Sequence, residues 1–207
     1  MIDPVETSKT RRRYDRIAWL FDFMERPVES RRFAAWRGRL AEKIKGPRVL
    51  EVGVGTGKNM PYYPAGVEVT AIDLSPRMLA KARAKAEQMN LNVDLKEMDA
   101  QALEFPDHAF DTVFATFVFC SVPDPVLGLS ELKRVTKPGG RLLLLEHMRP
   151  DRKWAGIVFD AFNPLAVRLG GENINRRTMD NVRAAGWQVE IEERLSSDVV
   201  RLIQARP

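Results

Sequence analysis

Cysteine and histidine are scarce in this 207-residue sequence, which contains one cysteine, Cys120, and two histidines, His108 and His147. A single thiol excludes an internal disulfide and any zinc site built from several cysteines, and it favours a reducing cytoplasm as the compartment. Two histidines are too few for a convincing metal centre, so we predict that the chain binds no metal. Disulfide scaffolds and cysteine-based zinc modules are therefore excluded as function classes.

The sequence also lacks a long hydrophobic run. No apolar stretch approaches the roughly 18–20 residues that a helix needs to span a bilayer. None follows a basic start at the N-terminus, so we expect no signal peptide. We expect a soluble protein, or one attached peripherally to the inner face of the membrane. The formal net charge of +5 is compatible with an anionic membrane, nucleic acid or an acidic substrate, and does not choose among them.

The size and composition predict one domain over residues 1–207. With 44% apolar residues, the chain can bury one full core, and a single α/β domain is the default architecture. The last two apolar runs, residues 187–192 and 199–203, are predicted to be strands that form a hairpin. A hairpin at this point makes one strand antiparallel to the rest.

Three closely spaced glycines, Gly53, Gly55 and Gly57, directly follow a short apolar run, residues 49–52. The run has the length and the β-branched content of a buried strand. Glycine costs conformational entropy, so this cluster predicts a tight turn at which the backbone approaches a ligand that any Cβ would exclude. The alternative is a β–α turn with only a structural role.

Acidic residues end the next two predicted strands. Residues 67–72 lead into Asp73, and residues 93–98 lead into Asp99. A Rossmann-like unit places a carboxylate about twenty residues past the glycine turn to accept both ribose hydroxyls, and the carboxyl ends of parallel strands share one crevice. The order of glycine turn, strand and acid predicts a nucleoside-containing cofactor. Asp99 and the Ala100 amide are then available to the adenine base.

Two helices are predicted before the glycine turn, over residues 9–26 and 28–45. The first has an aromatic-rich apolar stripe that includes Tyr14, and basic residues crowd its first turns, where they oppose the helix dipole. This composition is typical of a helix that lies in a membrane interface. The alternative is a lid over the cofactor site, and both roles are compatible. We therefore predict that residues 1–45 are a helical lid, a contact with an anionic membrane surface, or both.

The glycine spacing of residues 51–57, with an acid at its start, resembles the motif of class I S-adenosylmethionine (SAM) methyltransferases and departs from the G-x-G-x-x-G dinucleotide fingerprint. Further matches lie in residues 72–79, 99–111 and 132–140. The chain is similar to methyltransferases related to the UbiE quinone-ring enzymes. Within that group it resembles the bacterial PmtA-type phospholipid N-methyltransferases and the small thiol methyltransferases.

The resemblance implies a Rossmann-like α/β sheet of about seven strands, mostly parallel, with helices on both faces and one antiparallel strand from the last hairpin. It implies SAM as the cofactor and S-adenosylhomocysteine as the product. An acid such as Glu51 suits the cationic end of SAM and would repel a pyrophosphate. The predicted cofactor contacts are Glu51, Gly53, Gly55, Thr56, Gly57, Asp73, Leu74, Met78, Asp99, Ala100 and Phe117.

The acceptor is predicted from residues 117–121, which follow the fourth strand and should lie beside the transferred methyl group. DNA amino-methyltransferases carry an Asn/Asp-Pro-Pro-aromatic motif there, and this sequence has aromatic and apolar residues instead, so we predict no nucleic-acid partner. We predict methyl transfer to a small-molecule or lipid acceptor, with the amine of phosphatidylethanolamine favoured. A quinone or small thiol acceptor is one alternative, and a non-catalytic SAM-binding module is another.

Two side chains are candidates for orienting or deprotonating the acceptor. Tyr14 lies on the predicted N-terminal helix, and His147 falls just past the carboxyl end of the leucine-rich strand at residues 141–147. A loop histidine without a function is the alternative for His147. Residues 170–177 form a glycine-rich and polar segment, which is a candidate substrate or lid loop.

Overall fold

The computed structural model describes residues 2–25, 31–169, 171–196 and 198–207. The helices, numbered in chain order, are α1 Pro4–Glu25, α2 Arg31–Ala41, α3 Pro76–Gln88, α4 Pro125–Val135, α5 Lys153–Leu169 and α6 Thr178–Ala184. The strands are β1 Arg48–Val52, β2 Glu68–Asp73, β3 Val93–Glu97, β4 Phe110–Thr116, β5 Thr136–His147, β6 Gln188–Ser196 and β7 Val200–Arg206.

The seven strands form one sheet in the order β3-β2-β1-β4-β5-β7-β6. Strands β1 to β5 pair in parallel, and β7 lies antiparallel between β5 and β6. The predicted Rossmann-like α/β sheet with one antiparallel strand from the last hairpin is therefore confirmed. The strand order reverses between β1 and β4, which is the place where open α/β sheets bind ligands at the carboxyl ends of their strands.

Hydrophobic side chains pack on both faces of the sheet. The leucines of β5 alternate between the faces, so that Leu142 and Leu144 join one core cluster and Leu143 and Leu145 join the other. The first cluster is covered by α4 and α6, and the second by α2 and α3. A strand that is buried on both faces accounts for the uninterrupted run of leucines.

The N-terminal helices differ from their predicted bounds. Helix α1 begins at Pro4 because the Asp3 carboxylate accepts hydrogen bonds from the amides of Val5 and Glu6, which caps the first turn. Helix α2 ends at Ala41, before the predicted stop at residue 45. Residues 26–30, which include the end of the first predicted helix and the start of the second, lie outside the described residues. Among the helices described, none is long and apolar enough to cross a membrane.

The dipeptide Asn163-Pro164 predicts a kink or a break in a helix over about residues 153–169. No break is present, because α5 continues through Pro164, whose ring is exposed. Thr178 is the residue type that the sequence predicts as the cap of α6, and this prediction is wrong. Arg177 occupies the cap position without a side-chain hydrogen bond, and Thr178 is the first helical residue, buried beneath the helix.

A buried carboxylate shapes the loop that follows β4. Glu146 is fully buried, and its Oε1 accepts hydrogen bonds from the amides of Val118 (2.9 Å) and Phe119 (3.1 Å). The preceding Phe117 has a left-handed φ of +58°, which is costly for a bulky residue and is held by these bonds. Burial raises the pKa of the Glu146 carboxyl to about 7, and the two amide bonds oppose that shift.

We predict that Glu146→Gln weakens the pH dependence of stability. Because the pKa of Glu146 is raised to about 7 from an ordinary 4.5, the folded protein binds more protons than the unfolded chain between these values. The free energy of unfolding therefore falls as the pH rises through this interval. The raised pKa of Asp73, about 6, acts in the same direction, so the slope is reduced and not abolished.

Urea denaturation at about pH 5 and about pH 8 measures this effect, and the loss between the two conditions should be smaller in the variant by about 2 kcal/mol. The carbonyl oxygen of glutamine can accept the same amide bonds, so the variant is expected to fold. Glu87→Gln, at an exposed position of α3, is the matched control and should leave the slope unchanged. Identical slopes in Glu146→Gln and the wild type would contradict the assignment.

Candidate active site

A cavity opens at the carboxyl ends of β1, β2 and β4, beneath α1. Most of the predicted site residues line it, namely Tyr14, Gly53, Gly55, Thr56, Asp73, Leu74, Met78, Asp99, Ala100 and Phe117. Glu51, Gly57 and His147 lie behind the cavity wall and not in its lining. The fold thus brings together segments from five separate parts of the chain. The binding role of each residue stays a prediction.

The glycine turn brings bare backbone to the cavity. The amides of Gly53 and Val54 donate to the Ile72 carbonyl at 2.8 and 3.0 Å, which fixes the turn against β2. Gly53 has φ +70°, and a Cβ there would lie 2.4 Å from a methyl group of Val118. Glycine is needed at position 57 for a different reason, because a Cβ there would lie 2.7 Å from the Met60 sulfur. Gly57 is therefore required by packing behind the cavity.

Asp73 is held in place by backbone amides at the end of β2. Its carboxylate accepts hydrogen bonds from Gly55 N (2.8 Å) and Ser75 N (2.9 Å). Burial raises the pKa of Asp73 to about 6, while these two bonds oppose the shift and the nearby Asp15 adds to it. Ser75 caps α3 by accepting a hydrogen bond from the Met78 amide, and its hydroxyl also donates to Asp15 of α1 at 2.6 Å. The acid, the turn and the covering helix are thus connected.

Asp99 connects the other end of the cavity to the start of α1. Its carboxylate accepts hydrogen bonds from the Gln101 amide (2.9 Å) and from the Thr7 hydroxyl (3.2 Å). Asp99 and Ala100 line the cavity together with Met98. The carboxyl ends of β2 and β3 therefore give one end of the cavity two acids and an apolar floor.

Glu51 lies on the other side of the β1 pleat. Its neighbours Leu50 and Val52 enter one core, and the Glu51 side chain points to the opposite face. There it is fully buried and accepts hydrogen bonds from Asn59 Nδ2 (2.6 Å) and from the Tyr63 hydroxyl. Burial raises its pKa, and the two hydrogen bonds oppose this. Glu51 does not itself line the cavity, but it contacts Asn59, which does. Its role as a cofactor contact stays a prediction.

Sequence reasoning missed the polar residues that line this end of the cavity. Arg37 of α2 donates to Asn59 Oδ1 and to Thr116 Oγ1, both at 2.8 Å, and all three residues line the cavity. Lys58 also lines it, with its ammonium 5.8 Å from the centre of the Phe21 ring. The cavity is therefore basic at one end, near Arg37 and Lys58, and acidic at the other. No local motif marks Arg37, because α2 reaches the site only through tertiary packing.

Helix α1 covers the cavity with its aromatic stripe. Thr10, Tyr14 and Phe21, spaced to share one face, all line the cavity. The Tyr14 hydroxyl is hydrogen-bonded to Ser121 Oγ at 2.5 Å. Burial raises the pKa of Tyr14 well above its ordinary value, as do the nearby Cys120 and Glu172. Tyr14 therefore remains a neutral phenol at physiological pH, suited to orienting a substrate and not to removing a proton.

His147 lies behind the aromatic wall of the cavity. Its ring stacks on Phe117, with the centroids 6.3 Å apart, and its Nε2 is 3.6 Å from a carboxylate oxygen of Glu172. Glu172 lines the cavity, whereas His147 does not. The structure therefore places a carboxylate that sequence reasoning did not single out between the predicted base and the substrate space.

The segment at residues 171–177 is fixed beside the cavity. Asn173 N and Nδ2 donate to the Cys120 carbonyl at 3.0 and 3.1 Å, and Arg176 donates to the Val122 carbonyl at 2.8 Å. Of this predicted substrate or lid loop, residue 170 lies outside the described residues. The contacts join it to the loop after β4, so that Glu172 and Phe117 are held on neighbouring walls.

Cys120, His147 and Glu172 each offer a metal-ligand atom, and these atoms lie within 4.8 Å of one another. A thiol, an imidazole and a carboxylate are ligand types that suit zinc. The sequence contains too few histidines to predict a metal site, so this cluster of possible ligands was not expected. Burial raises the pKa of the Cys120 thiol, which opposes its conversion to a thiolate ligand.

Comparison with known proteins identifies the fold and the family. A family model described as a methyltransferase domain matches residues 50–144. A phosphatidylethanolamine N-methyltransferase of Cereibacter sphaeroides is 43% identical over 66% of this chain and 70% of that protein. A demethylmenaquinone methyltransferase of Thermus thermophilus is 38% identical over 76% and 75%. A human thiol S-methyltransferase is 30% identical over 79% and 73%.

Solved structures share the architecture at low sequence identity. The [4+2]-cyclase SpnF has a TM-score of 0.71 and 22% identity, covering 84% of this chain and 79% of the cyclase. A Bacillus halodurans protein described as a putative methyltransferase has a TM-score of 0.69 and 21% identity, covering 83% and 97%. The fold alone therefore does not determine the reaction. The sequence relatives, together with a cavity that combines a glycine turn and an acid at the end of β2, show that the chain belongs to the class I SAM-dependent methyltransferases.

Proposed function

We propose that this protein transfers methyl groups from SAM to the amine of phosphatidylethanolamine at the inner face of the cytoplasmic membrane. The observation that carries the proposal is the Glu172 carboxylate, which lines the cavity together with the Phe117 ring. A carboxylate near an aromatic face suits a primary ammonium, because both attract a cation. The similarity to a phosphatidylethanolamine N-methyltransferase supports the same acceptor.

The charge distribution of the cavity supports one orientation of SAM. The Asp73 carboxylate would accept hydrogen bonds from the ribose, and Asp99 with the Ala100 amide would meet adenine between Leu74 and Met78. The amino-acid end of SAM would then lie at the basic end of the cavity, where Arg37 and Lys58 offer charge to its carboxylate. A Cβ at Gly55 would meet no protein atom within 4 Å, so the bare backbone there leaves room for this end of the ligand.

Two predicted contacts would act indirectly. Glu51 holds Asn59, which is hydrogen-bonded to Arg37, so its role would be to position the guanidinium that meets the ligand. Gly57 would allow the turn to pack on Met60. Both residues would therefore affect SAM binding without touching SAM.

SAM, when bound, supplies a methyl group that its sulfonium already activates. The chain's own residues would align the acceptor, exclude water and remove a proton. An ammonium has no free electron pair, so the amine must be deprotonated before it can accept a methyl group. The Glu172 carboxylate, with His147 behind it, is placed to take that proton. Tyr14 would orient the acceptor through its hydroxyl.

The N-terminal segment of residues 1–45 would act as a lid within a single domain. The aromatic stripe of α1 faces the cavity, which favours the lid over an exposed membrane contact for that face. A contact between residues 9–26 and an anionic membrane stays a prediction, since one indole of this helix, that of Trp19, is 73% exposed. A lid that opens toward the bilayer would serve both roles.

We predict that Asp73→Asn weakens the binding of SAM by about 10- to 100-fold, because an amide cannot accept charge-assisted hydrogen bonds from both ribose hydroxyls. In the wild type, affinity should also fall as the pH drops through about 6, where Asp73 becomes protonated. Isothermal titration calorimetry across pH measures both effects. Asp94→Asn, an exposed acid of β3, is the control. Equal affinity and an equal pH profile in Asp73→Asn would contradict this role.

We predict that labelled methyl from SAM enters phosphatidylethanolamine in vesicles and that Glu172→Gln slows this transfer while leaving SAM affinity within about twofold. The deficit should be larger at about pH 7 than at about pH 9.5, because the free amine becomes populated as the pH approaches its own pKa. Phosphatidylcholine vesicles are the control, since a quaternary amine cannot accept a methyl group. A deficit that does not change with pH would contradict Glu172 as the base.

The same assay separates the alternatives. Label in a demethylated quinone or in a small thiol, and none in lipid amine, would replace the proposed acceptor with one that the relatives also suggest. Binding of SAM without formation of S-adenosylhomocysteine on any of these acceptors would favour a non-catalytic SAM-binding module. Each of these outcomes contradicts the proposal for phosphatidylethanolamine.

A further inference from the structure

Large hydrophobic side chains are exposed mainly along one helix. Five of the eight exposed large hydrophobic residues among those described belong to α5, namely Trp154 (67%), Ile157 (64%), Val158 (44%), Phe162 (59%) and Leu165 (52%). Their spacing puts them on one face, which we call the α5 apolar face. The other three, Val5, Trp19 and Met89, are separated along the chain. A continuous exposed apolar face marks a binding surface, whereas scattered residues need no explanation.

The opposite side of α5 fixes the direction of this face. Arg149 forms an ion pair with Asp160 at 2.8 Å, and its guanidinium packs on Gly156, where a Cβ would lie 2.3 Å away. Asn175 also donates to Asp160 at 3.1 Å. These contacts lie on the polar side of the helix, about half a turn from the apolar face. The helix is therefore anchored through its polar side, with its apolar face turned outward.

Basic residues lie at both ends of α5. Arg152 and Lys153 are exposed at its start, and Arg168 is exposed at its end. An apolar face flanked by cations matches the composition of a helix that lies in the plane of a bilayer, with the apolar side chains below the headgroups and the cations at their level. The net charge of +5 favours an anionic surface. A second copy of this basic chain would place the cations of both copies close together.

The same helix is joined to the wall of the cavity. Asn163 on α5 donates to Asn173 at 3.4 Å, and Gly171 N donates to the Ala166 carbonyl at 3.2 Å. These contacts place the segment that carries Glu172 directly beside α5. A bilayer on the α5 apolar face would therefore lie across this one helix from the segment that carries Glu172.

We infer that the α5 apolar face docks the protein on an anionic lipid bilayer. The inference rests on the proposed function, because docking on a bilayer serves a protein whose acceptor is a lipid. It assigns the membrane contact to α5, whereas the sequence pointed to residues 9–26. Docking through α5 leaves α1 free to cover the cavity. A lipid acceptor would then enter from the membrane without leaving the interface.

The test is sedimentation with vesicles of phosphatidylglycerol and phosphatidylcholine that contain no phosphatidylethanolamine. Trp154→Gln should weaken vesicle binding roughly tenfold, and adding Phe162→Gln should weaken it further. Trp19→Gln is the matched control, because its indole is 73% exposed on α1 against 67% for Trp154, and it should change binding by less than about twofold. Affinity for SAM, measured by calorimetry, should be unchanged in all three variants and reports on folding.

Several results would overturn the inference. Vesicle binding that survives Trp154→Gln/Phe162→Gln would remove α5 as the docking element, and an equal loss in Trp19→Gln would remove its specificity. A dimer in analytical ultracentrifugation that Trp154→Gln dissociates, without vesicle binding by the wild type, would identify a second copy as the occupant. Because the vesicles lack phosphatidylethanolamine, docking can succeed while methylation of that lipid fails, so the two proposals are tested separately.

Discussion

Two carboxylates, the half-buried Asp73 and the fully buried Glu146, hold the backbone amides of the loops around the cavity. Asp73, at the end of β2, accepts hydrogen bonds from the glycine turn after β1 and from its own following loop. Glu146, near the end of β5, accepts two from the loop after β4. Each acid lies on one strand and orders a loop that follows a neighbouring strand. The positions of the bare backbone at Gly53 and of the Phe117 ring both depend on this arrangement.

These acids are costly to bury, and the cost is linked to the site. Poor solvation raises the pKa values of Asp73 and Glu146 because it disfavours the ionised carboxylates, and the amide hydrogen bonds partly offset this. Perturbed pKa values of this kind are typical of sites that must present polar groups to a ligand. Hydroxyl groups of a ligand would donate hydrogen bonds to the Asp73 carboxylate and so replace those that it would otherwise accept from water.

The sequence predicted the parts of the site that are local in the chain. The glycine turn, Asp73 and Asp99 belong to strand ends, so a pattern of apolar runs and acids was enough to place them. Glu51 is not among the residues that line the cavity. Its side chain is fully buried against Asn59 and Tyr63, and these tertiary contacts cannot be read from a strand pattern. Arg37 and Glu172 were missed because distant elements, α2 and the segment after α5, bring them in through tertiary contacts.

The two amphipathic helices illustrate the same limit. Both α1 and α5 have apolar stripes in the sequence, and composition favoured α1 as the membrane contact because its first turns are basic. In the structure the apolar stripe of α1 lines the cavity, whereas the apolar stripe of α5 is exposed. Sequence periodicity identifies an apolar face but does not tell which surface covers it. The relatives are named for lipid, quinone and thiol substrates. This is consistent with a shared cofactor site and with a variable set of residues around the methyl acceptor.

The measurement that tests the account most directly is a crystal structure of the protein with S-adenosylhomocysteine. The account predicts ribose hydroxyls on the Asp73 carboxylate, adenine at Asp99 and Ala100, and the amino-acid carboxylate within hydrogen-bond distance of Arg37 or Lys58. The sulfur would then point toward Phe117 and Glu172. A ligand bound with its amino-acid end at Asp73, or bound outside this cavity, would contradict the assignment of the site and of the acceptor wall.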